Sequence, residues 1–196
     1  MRTLLIMGLL AGLISTALGQ TTPPKVELKL ADQFDQPHDI ADFKGKVVIL
    51  IYGDRHAVDE NSKLGNQLYV YYHPDAKDKP PAEAKNAPVI GLAGVPATTP
   101  VPDVRVIPVA CTGKVPELVL TFVKREVKKQ SPDVPVWIDS QELMQTKFGL
   151  RDKEPNMVII DTQGRLRLKI AGTPDKDSMQ KLVDVVDRIR REAIAK

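Results

Sequence analysis

The chain has 196 residues, with 28 Lys and Arg against 25 Asp and Glu, 42% hydrophobic and 5% aromatic content, and one cysteine. That length holds one domain with additions or two small domains. A charged fraction of 27% with ordinary apolar content excludes a wholly disordered, collagen-like or multi-span membrane chain. The formal charge of +3 is spread over short basic clusters broken by acids, so no stripe suits a phosphate backbone and no nucleic-acid partner is expected. A lone cysteine forms no internal disulfide and supplies no zinc site of several thiolates.

Residues 1–19 read as a signal peptide. A positive lead at Met1-Arg2-Thr3 precedes an apolar run from Leu4 to Ile14, and Ala17-Leu18-Gly19 places small residues where a signal peptidase cuts. The run is about 11 residues, well short of the roughly 20 that a spanning helix needs, so cleavage near Gln20 is expected rather than anchoring. No cysteine follows to carry a lipid. A periplasmic or secreted protein without a membrane span is the expectation, and residues 20–196 form its folded domain.

Val26 to Leu30 alternates apolar and polar side chains like a half-buried strand, and Asp35-Gln36-Pro37 reads as a turn. Val47 to Tyr52 is continuously apolar and β-branched, which predicts a strand covered on both faces and ended by Gly53 and Asp54. Leu64, Leu68 and Tyr71 recur at helical spacing from about Val58, with Asp59 and Glu60 at the electropositive helix start. From His73 to Asp103 the pattern breaks. Seven of the chain's 16 prolines fall there, so the segment reads as an insertion, with Val89-Ile90-Gly91-Leu92 expected to dock.

Order resumes with a strand from Val104 to Ala110 and a helix from about Pro116 to Lys129, whose Leu118, Phe122 and Val123 are expected to face inward. A short strand at Val134–Ile138 and two helical turns ending at Gly149 follow. Asp161-Thr162-Gln163-Gly164 joins two strands into a hairpin, with Leu166, Leu168 and Ile170 expected on one face. Thr173 is the expected cap of a last helix, with Pro174 at its first position and a buried stripe through Met179, Leu182, Val183, Val186, Ile189 and Ala193. Strands alternating with helices predict an α/β fold.

Three stretches carry a family resemblance: LKLADQFDQPHDIADFKGKVVILIYG (28–53), VPVWID (134–139) and FGLRDKEPNMVIIDTQGRL (148–166). In order and spacing they resemble the thioredoxin-like superfamily, of the alkyl hydroperoxide reductase, thiol-specific antioxidant and periplasmic thiol–disulfide reductant type. The resemblance implies a three-layer α/β sandwich with a mixed central sheet, an N-terminal hairpin and, here, a proline-rich insertion at about 73–103. It also implies a cis-proline at Pro155, in a turn that offers a backbone edge to an extended peptide.

The family's redox dithiol would fall on Ala57 and Glu60, and neither carries sulfur. Thiol–disulfide exchange needs an attacking thiolate and a resolving thiol, so the chain is expected to be redox-inactive by that route. Cys111 follows the Val104–Ala110 strand and is the only candidate for catalysis through sulfur, as a one-cysteine peroxidase or mixed-disulfide thiol. Its plainer reading is a small buried hydrophobe. His56 with Asp54, Asp59 and Glu60 forms a polar cluster whose carboxylates are explained by the helix start, so no metal or other cofactor is expected. No Ser-His-Asp order, phosphate loop, HExxH or calcium loop occurs. These residues together point to a non-catalytic binding or scaffold module. Its expected rim is Asp54, Arg55, His56, Glu154 and Pro155, and its partner an extended peptide or an envelope protein.

Overall fold

The structure is a computed structural model that describes residues 23–195. The expected signal peptide lies outside the described residues. Seven strands form one mixed sheet: β1 (Lys29–Asp32), β2 (Pro37–Asp39), β3 (Val47–Gly53), β4 (Val104–Cys111), β5 (Trp137–Asp139), β6 (Asn156–Ile160) and β7 (Leu166–Ala171), in the spatial order β2-β1-β5-β4-β3-β6-β7. The helices are α1 (Val58–Tyr72), α2 (Pro81–Ala84), α3 (Glu117–Gln130), α4 (Leu143–Phe148) and α5 (Lys176–Ile194).

All seven residues of β3 are buried. Because strand side chains alternate, Val47, Ile49 and Ile51 enter one core and Val48, Leu50 and Tyr52 the other. The first core is closed by Leu64 and Leu68 of α1 and by Leu182, Val183, Val186 and Ile189 of α5. The second is closed by Ile40, Trp137, and Met144 and Phe148 of α4. β3 is parallel to β4 and antiparallel to β6, while β4 is parallel to β5. Because the chain steps from β3 to β4 to β5 in one direction, two right-handed crossovers put α1 and α3 on the same face of the sheet.

The N-terminal hairpin forms as expected, but its first strand starts three residues later than the alternation suggested: Val26 and Leu28 are buried, and pairing with β2 begins at Lys29. Asp35 supplies the positive φ of its turn. The buried Gln33 side chain reaches Ser131 O at 2.9 Å and Val134 O at 3.0 Å and accepts from Val136 N at 2.7 Å, which fastens the hairpin to the approach of β5.

Three local expectations need correction. Leu118 and Phe122 are 83% and 55% exposed, and α3 buries no residue completely; apolar spacing shows that a face exists, not that the fold covers it. Leu166 joins the Trp137 core while Leu168 and Ile170 join the other, because Leu166 pairs with Ile160 and Leu168 with Ile159. The extra residue, Arg167, is a bulge that reverses the alternation. The last helix is capped by Asp175, which accepts from Ser178 N at 2.7 Å, so Thr173 and Pro174 precede it.

The insertion docks against α1 and α5. Ile90 N donates to Tyr72 O at 2.7 Å, and Leu92 is buried. Arg190 of α5, wholly buried, donates to the carbonyls of Ile90 at 2.5 Å and Pro102 at 3.0 Å, and Arg191 donates to Ala93 O at 2.8 Å. At the base, buried His73 bridges Tyr69 O at 3.2 Å and the Asp103 carboxylate at 3.0 Å, and Arg105 holds the other Asp103 oxygen at 2.8 Å. The segment is therefore closed at its base by the His73–Asp103 hydrogen bond and pinned by a guanidinium.

Arg190→Leu keeps apolar bulk but strands two carbonyls, and a loss of about 2–4 kcal/mol is expected in urea unfolding. Unchanged stability would mean that the guanidinium does not secure the segment. Burial alone would raise the carboxyls of Asp103 and Asp161, yet both are held below the ordinary value. His73 and Arg105 do this for Asp103, and the Arg165 and Gln163 N–H groups with the Arg165 guanidinium for Asp161. Their contribution is complete above the unfolded carboxyl value of about 3.9 and is lost as pH falls through the native values, because the unfolded state there binds more protons. Stability measured below about pH 4 should accordingly fall less steeply in Asp161→Asn than in the parent.

Candidate functional site

The parallel strands β3 and β4 deliver their carboxyl ends to one rim, where Gly53 stands opposite Ala110. A Cβ on Gly53 would lie 2.5 Å from Asn61 Nδ2 and 2.8 Å from Ala57 Cβ, so only glycine lets the chain turn into α1 here. Asp54 Oδ1 accepts from His56 N at 2.8 Å, and Ala57 N bonds Asp54 O at 3.1 Å, which closes the loop. Arg55 and His56 are exposed at its tip, with Arg55 Nε 3.4 Å from His56 Nε2. Ala57 is completely buried at the N-cap of α1 and lends no side-chain cap. Glu60 points outward and accepts from Thr173 Oγ1 at 3.2 Å. The Asn61 Oδ1 is buried without a hydrogen-bond partner among the described residues.

On the far side of the rim, the Glu154–Pro155 peptide is trans, as is every described peptide bond, which corrects the expected cis-proline. The turn is held another way. Asn156, fully buried, donates through Nδ2 to the carbonyls of Arg151 at 2.8 Å and Glu154 at 2.9 Å and accepts from Arg151 N at 2.9 Å. Pro155 O accepts from Gly172 N at 2.8 Å. Lys153 supplies a positive φ, and Arg151 pairs with Glu154 at 3.4 Å. The backbone edge that a peptide would use is thus already occupied in part.

Cys111 ends β4 opposite Asp139 of β5 and is half-buried against the Trp137 core. Burial pushes its thiol above the ordinary value. The nearby Tyr52 hydroxyl and Gly113 backbone pull the other way, while the carboxylates of Asp139 and Glu142 add to the rise. The Tyr52 hydroxyl lies near the thiol, is itself buried, and has no hydrogen-bond partner among the described residues; burial raises it strongly. Asp139 is fixed in place by accepting from Leu143 N at 2.9 Å and Met144 N at 2.8 Å, where it starts α4. The environment therefore favours the neutral thiol, unlike the electropositive sites of reactive cysteines.

The structure brings Asp54, Arg55, His56, Ala57 and Glu60 together at the α1 start, and places Glu154 and Pro155 on the turn before β6. Among the described residues, no three His, Cys, Asp or Glu side chains converge as a metal site would require. Gly53, Tyr52 and Asn156 are parts of the rim that sequence reading did not single out. A polar residue opening the apolar run Asn156-Met157-Val158-Ile159-Ile160 was the available signal for the last.

The architecture matches solved proteins along nearly all of its length. A pneumococcal exposed lipoprotein thioredoxin from Streptococcus pneumoniae aligns at 21% identity and TM-score 0.51, over 81% of this chain and 98% of that one. A putative thiol:disulfide interchange protein DsbE from Chlorobium tepidum aligns at 16% identity and TM-score 0.55, over 85% and 98%. A putative thioredoxin from Neisseria meningitidis aligns at 19% identity and TM-score 0.52, over 86% and 92%. This chain has the thioredoxin-like fold. No family model and no curated protein matches it in sequence. It is a thioredoxin-like fold with a single cysteine, and that cysteine lies at the end of β4 rather than at the start of α1.

Alkylation of Cys111 by iodoacetamide should run slower than that of free cysteine through pH 8, rising only above the free-thiol value of about 8.5. Glu142→Gln should shift that rise to lower pH, since it removes one of the opposing charges. A rate at pH 7 above that of free cysteine would contradict the assigned environment.

Proposed function

We propose that the chain is an exported thioredoxin-like protein without a redox dithiol, acting as a non-catalytic binding or scaffold module outside the cytoplasm. One observation carries the reading: the start of α1 presents a buried Ala57 and an outward Glu60, and the sole thiol is held neutral by burial and two carboxylates. Neither a nucleophile nor a resolving group stands where exchange would need them. The leader-like run from Leu4 to Ile14 supports export, as does the likeness to a protein described as an exposed lipoprotein.

Recognition falls to the rim's side chains. With the Glu154 carbonyl taken by Asn156, an incoming extended peptide meets Arg55, His56 and Glu154, exposed or half-exposed groups carrying both signs of charge. Such groups set register and specificity more than raw affinity. The alternative, a one-cysteine peroxidase or thiol oxidoreductase, rests on Cys111 standing on the same rim with the Tyr52 hydroxyl beside it.

The purified protein should not reduce insulin faster than dithiothreitol alone, and Cys111→Ser should leave peroxide consumption unchanged. A rate like that of a dithiol catalyst, or a saturable peroxidase lost in Cys111→Ser, would overturn the reading. For binding, reduced and carboxymethylated α-lactalbumin serves as an extended probe. Arg55→Glu with His56→Glu should weaken its capture by about tenfold at low salt and less at high salt, as charged contacts do. Equal capture would remove the rim from recognition.

A further inference from the structure

Six of the nine large apolar side chains that the described residues expose lie on or beside α3: Phe34, Leu118, Val119, Phe122, Val134 and Leu143. The inner edge of α3 touches the sheet lightly, where Leu120 and Lys124 line a shallow groove with Ala31 and Ile138. Its outer face has a definite order. At 3.6 residues per turn, Leu118, Phe122, Arg125 and Lys129 follow one line along the helix, apolar in its first half and cationic in its second. Glu117 flanks the apolar end, and the Arg125 guanidinium lies 5.1 Å from the Phe122 ring centroid. Neither Glu117 nor Arg125 has an ion-pair partner among the described residues.

We propose that α3 pairs antiparallel with α3 of a second copy of this chain, across a two-fold axis passing between Leu118 and Phe122. Such an axis sets Leu118 of each copy against Phe122 of the other. With a rise of 1.5 Å per residue, Glu117 stands about 4.5 Å to one side of the axis and Arg125 about 7.5 Å to the other. The two-fold therefore brings each Arg125 within about 3 Å, measured along the helix, of the other copy's Glu117. The stripe is complementary to itself, as an isologous interface requires.

Charge decides between occupants. An anionic bilayer or an acidic peptide would face the cations of this surface but also meet Glu117, Glu126 and Asp133 on the same helix and the loop after it. A second copy uses both signs. About this axis the two helices overlap over residues 117–123, about 10 Å, so Leu118 and Phe122 of both copies form the centre of a small interface.

Sedimentation velocity of the purified protein from about 1 to 300 μM should show a reversible monomer–dimer equilibrium. Phe122→Asp, on an exposed face and checked by circular dichroism, should weaken it by about a hundredfold. Glu117→Arg and Arg125→Glu should each weaken it by about tenfold, and the two together should restore the parent affinity to within about threefold. A monomer throughout that range, a dimer indifferent to Phe122→Asp, or charge reversals that add instead of compensating would each overturn the proposal. A monomer that binds phosphatidylglycerol vesicles through Phe122 would overturn it too and make this a lipid-facing surface. Because the charge-reversal arms touch only exposed side chains, they test the pairing even if Phe122→Asp misfolds.

Discussion

The fold depends on a strand that has no polar face. β3 is flanked by β4 and β6 in the plane of the sheet and by a core on each face, so its seven residues reach water nowhere. Burying both faces makes register unforgiving: a one-residue slip would exchange Val47, Ile49 and Ile51 for Val48, Leu50 and Tyr52 and misfit two cores at once. The exit of the strand is fixed by that register. Gly53 reaches the rim beside Ala110 and must turn at once into α1, where Asn61 and Ala57 leave no room for a side chain. The chemistry of the rim is settled by the residues that this fixed exit delivers to it.

Those residues form a helix start without sulfur. The electropositive end of α1 would stabilise a thiolate, but Ala57 offers only a methyl group, buried, and Asp59 and Glu60 answer the helix dipole with carboxylates. The one thiol is displaced to the neighbouring strand. There the local influences run the other way: burial, Asp139 and Glu142 all oppose its ionisation. Asp139 cannot turn aside, because its oxygens are engaged by the N–H groups that begin α4. Burial is the main influence that favours the protonated thiol, and the carboxylate that starts α4 adds to it.

Much of this was legible from the residues. A run without polar interruption announces a doubly covered strand, Asp-Thr-Gln-Gly announces a hairpin, and missing sulfur at Ala57 and Glu60 needs no structure to be seen. The features that escaped depend on contacts distant in sequence. The bulge at Arg167 is a property of pairing with β6, so Leu166 could not be assigned a face from β7 alone. The isomer of the Glu154–Pro155 bond is decided by how the turn is tied. The Asn156 side chain satisfies the turn's carbonyls with the peptide trans, the form favoured by about 0.5–1 kcal/mol in the absence of other constraints. Leu118 and Phe122 showed the right spacing for a core face, but spacing fixes only that apolar residues share a side. Whether the sheet reaches that side depends on where β4 and β5 hold the ends of α3.

Arg190 illustrates the most general of these failures. A cation inside the apolar stripe of α5 reads as the edge of the wet face, and its burial becomes intelligible only with the insertion in place. The guanidinium offers donors to Ile90 O and Pro102 O and lies over the Tyr72 ring, while Asp187 supplies a counter-charge at 3.3 Å. Removing the insertion would take away two of that charge's carbonyl partners together with the chain that covers it. The proline-rich segment is therefore bound to the domain in both directions: its carbonyls need the arginine, and the arginine needs its carbonyls. Prolines suit that arrangement, since a segment held by its carbonyl oxygens loses nothing by lacking N–H donors and surrenders less chain entropy on docking. The seven prolines that made the region look structureless in sequence thus lower the entropy lost on docking, while its remaining N–H groups close short turns within it, as Glu83 N does on Pro80 O and Val95 N on Leu92 O.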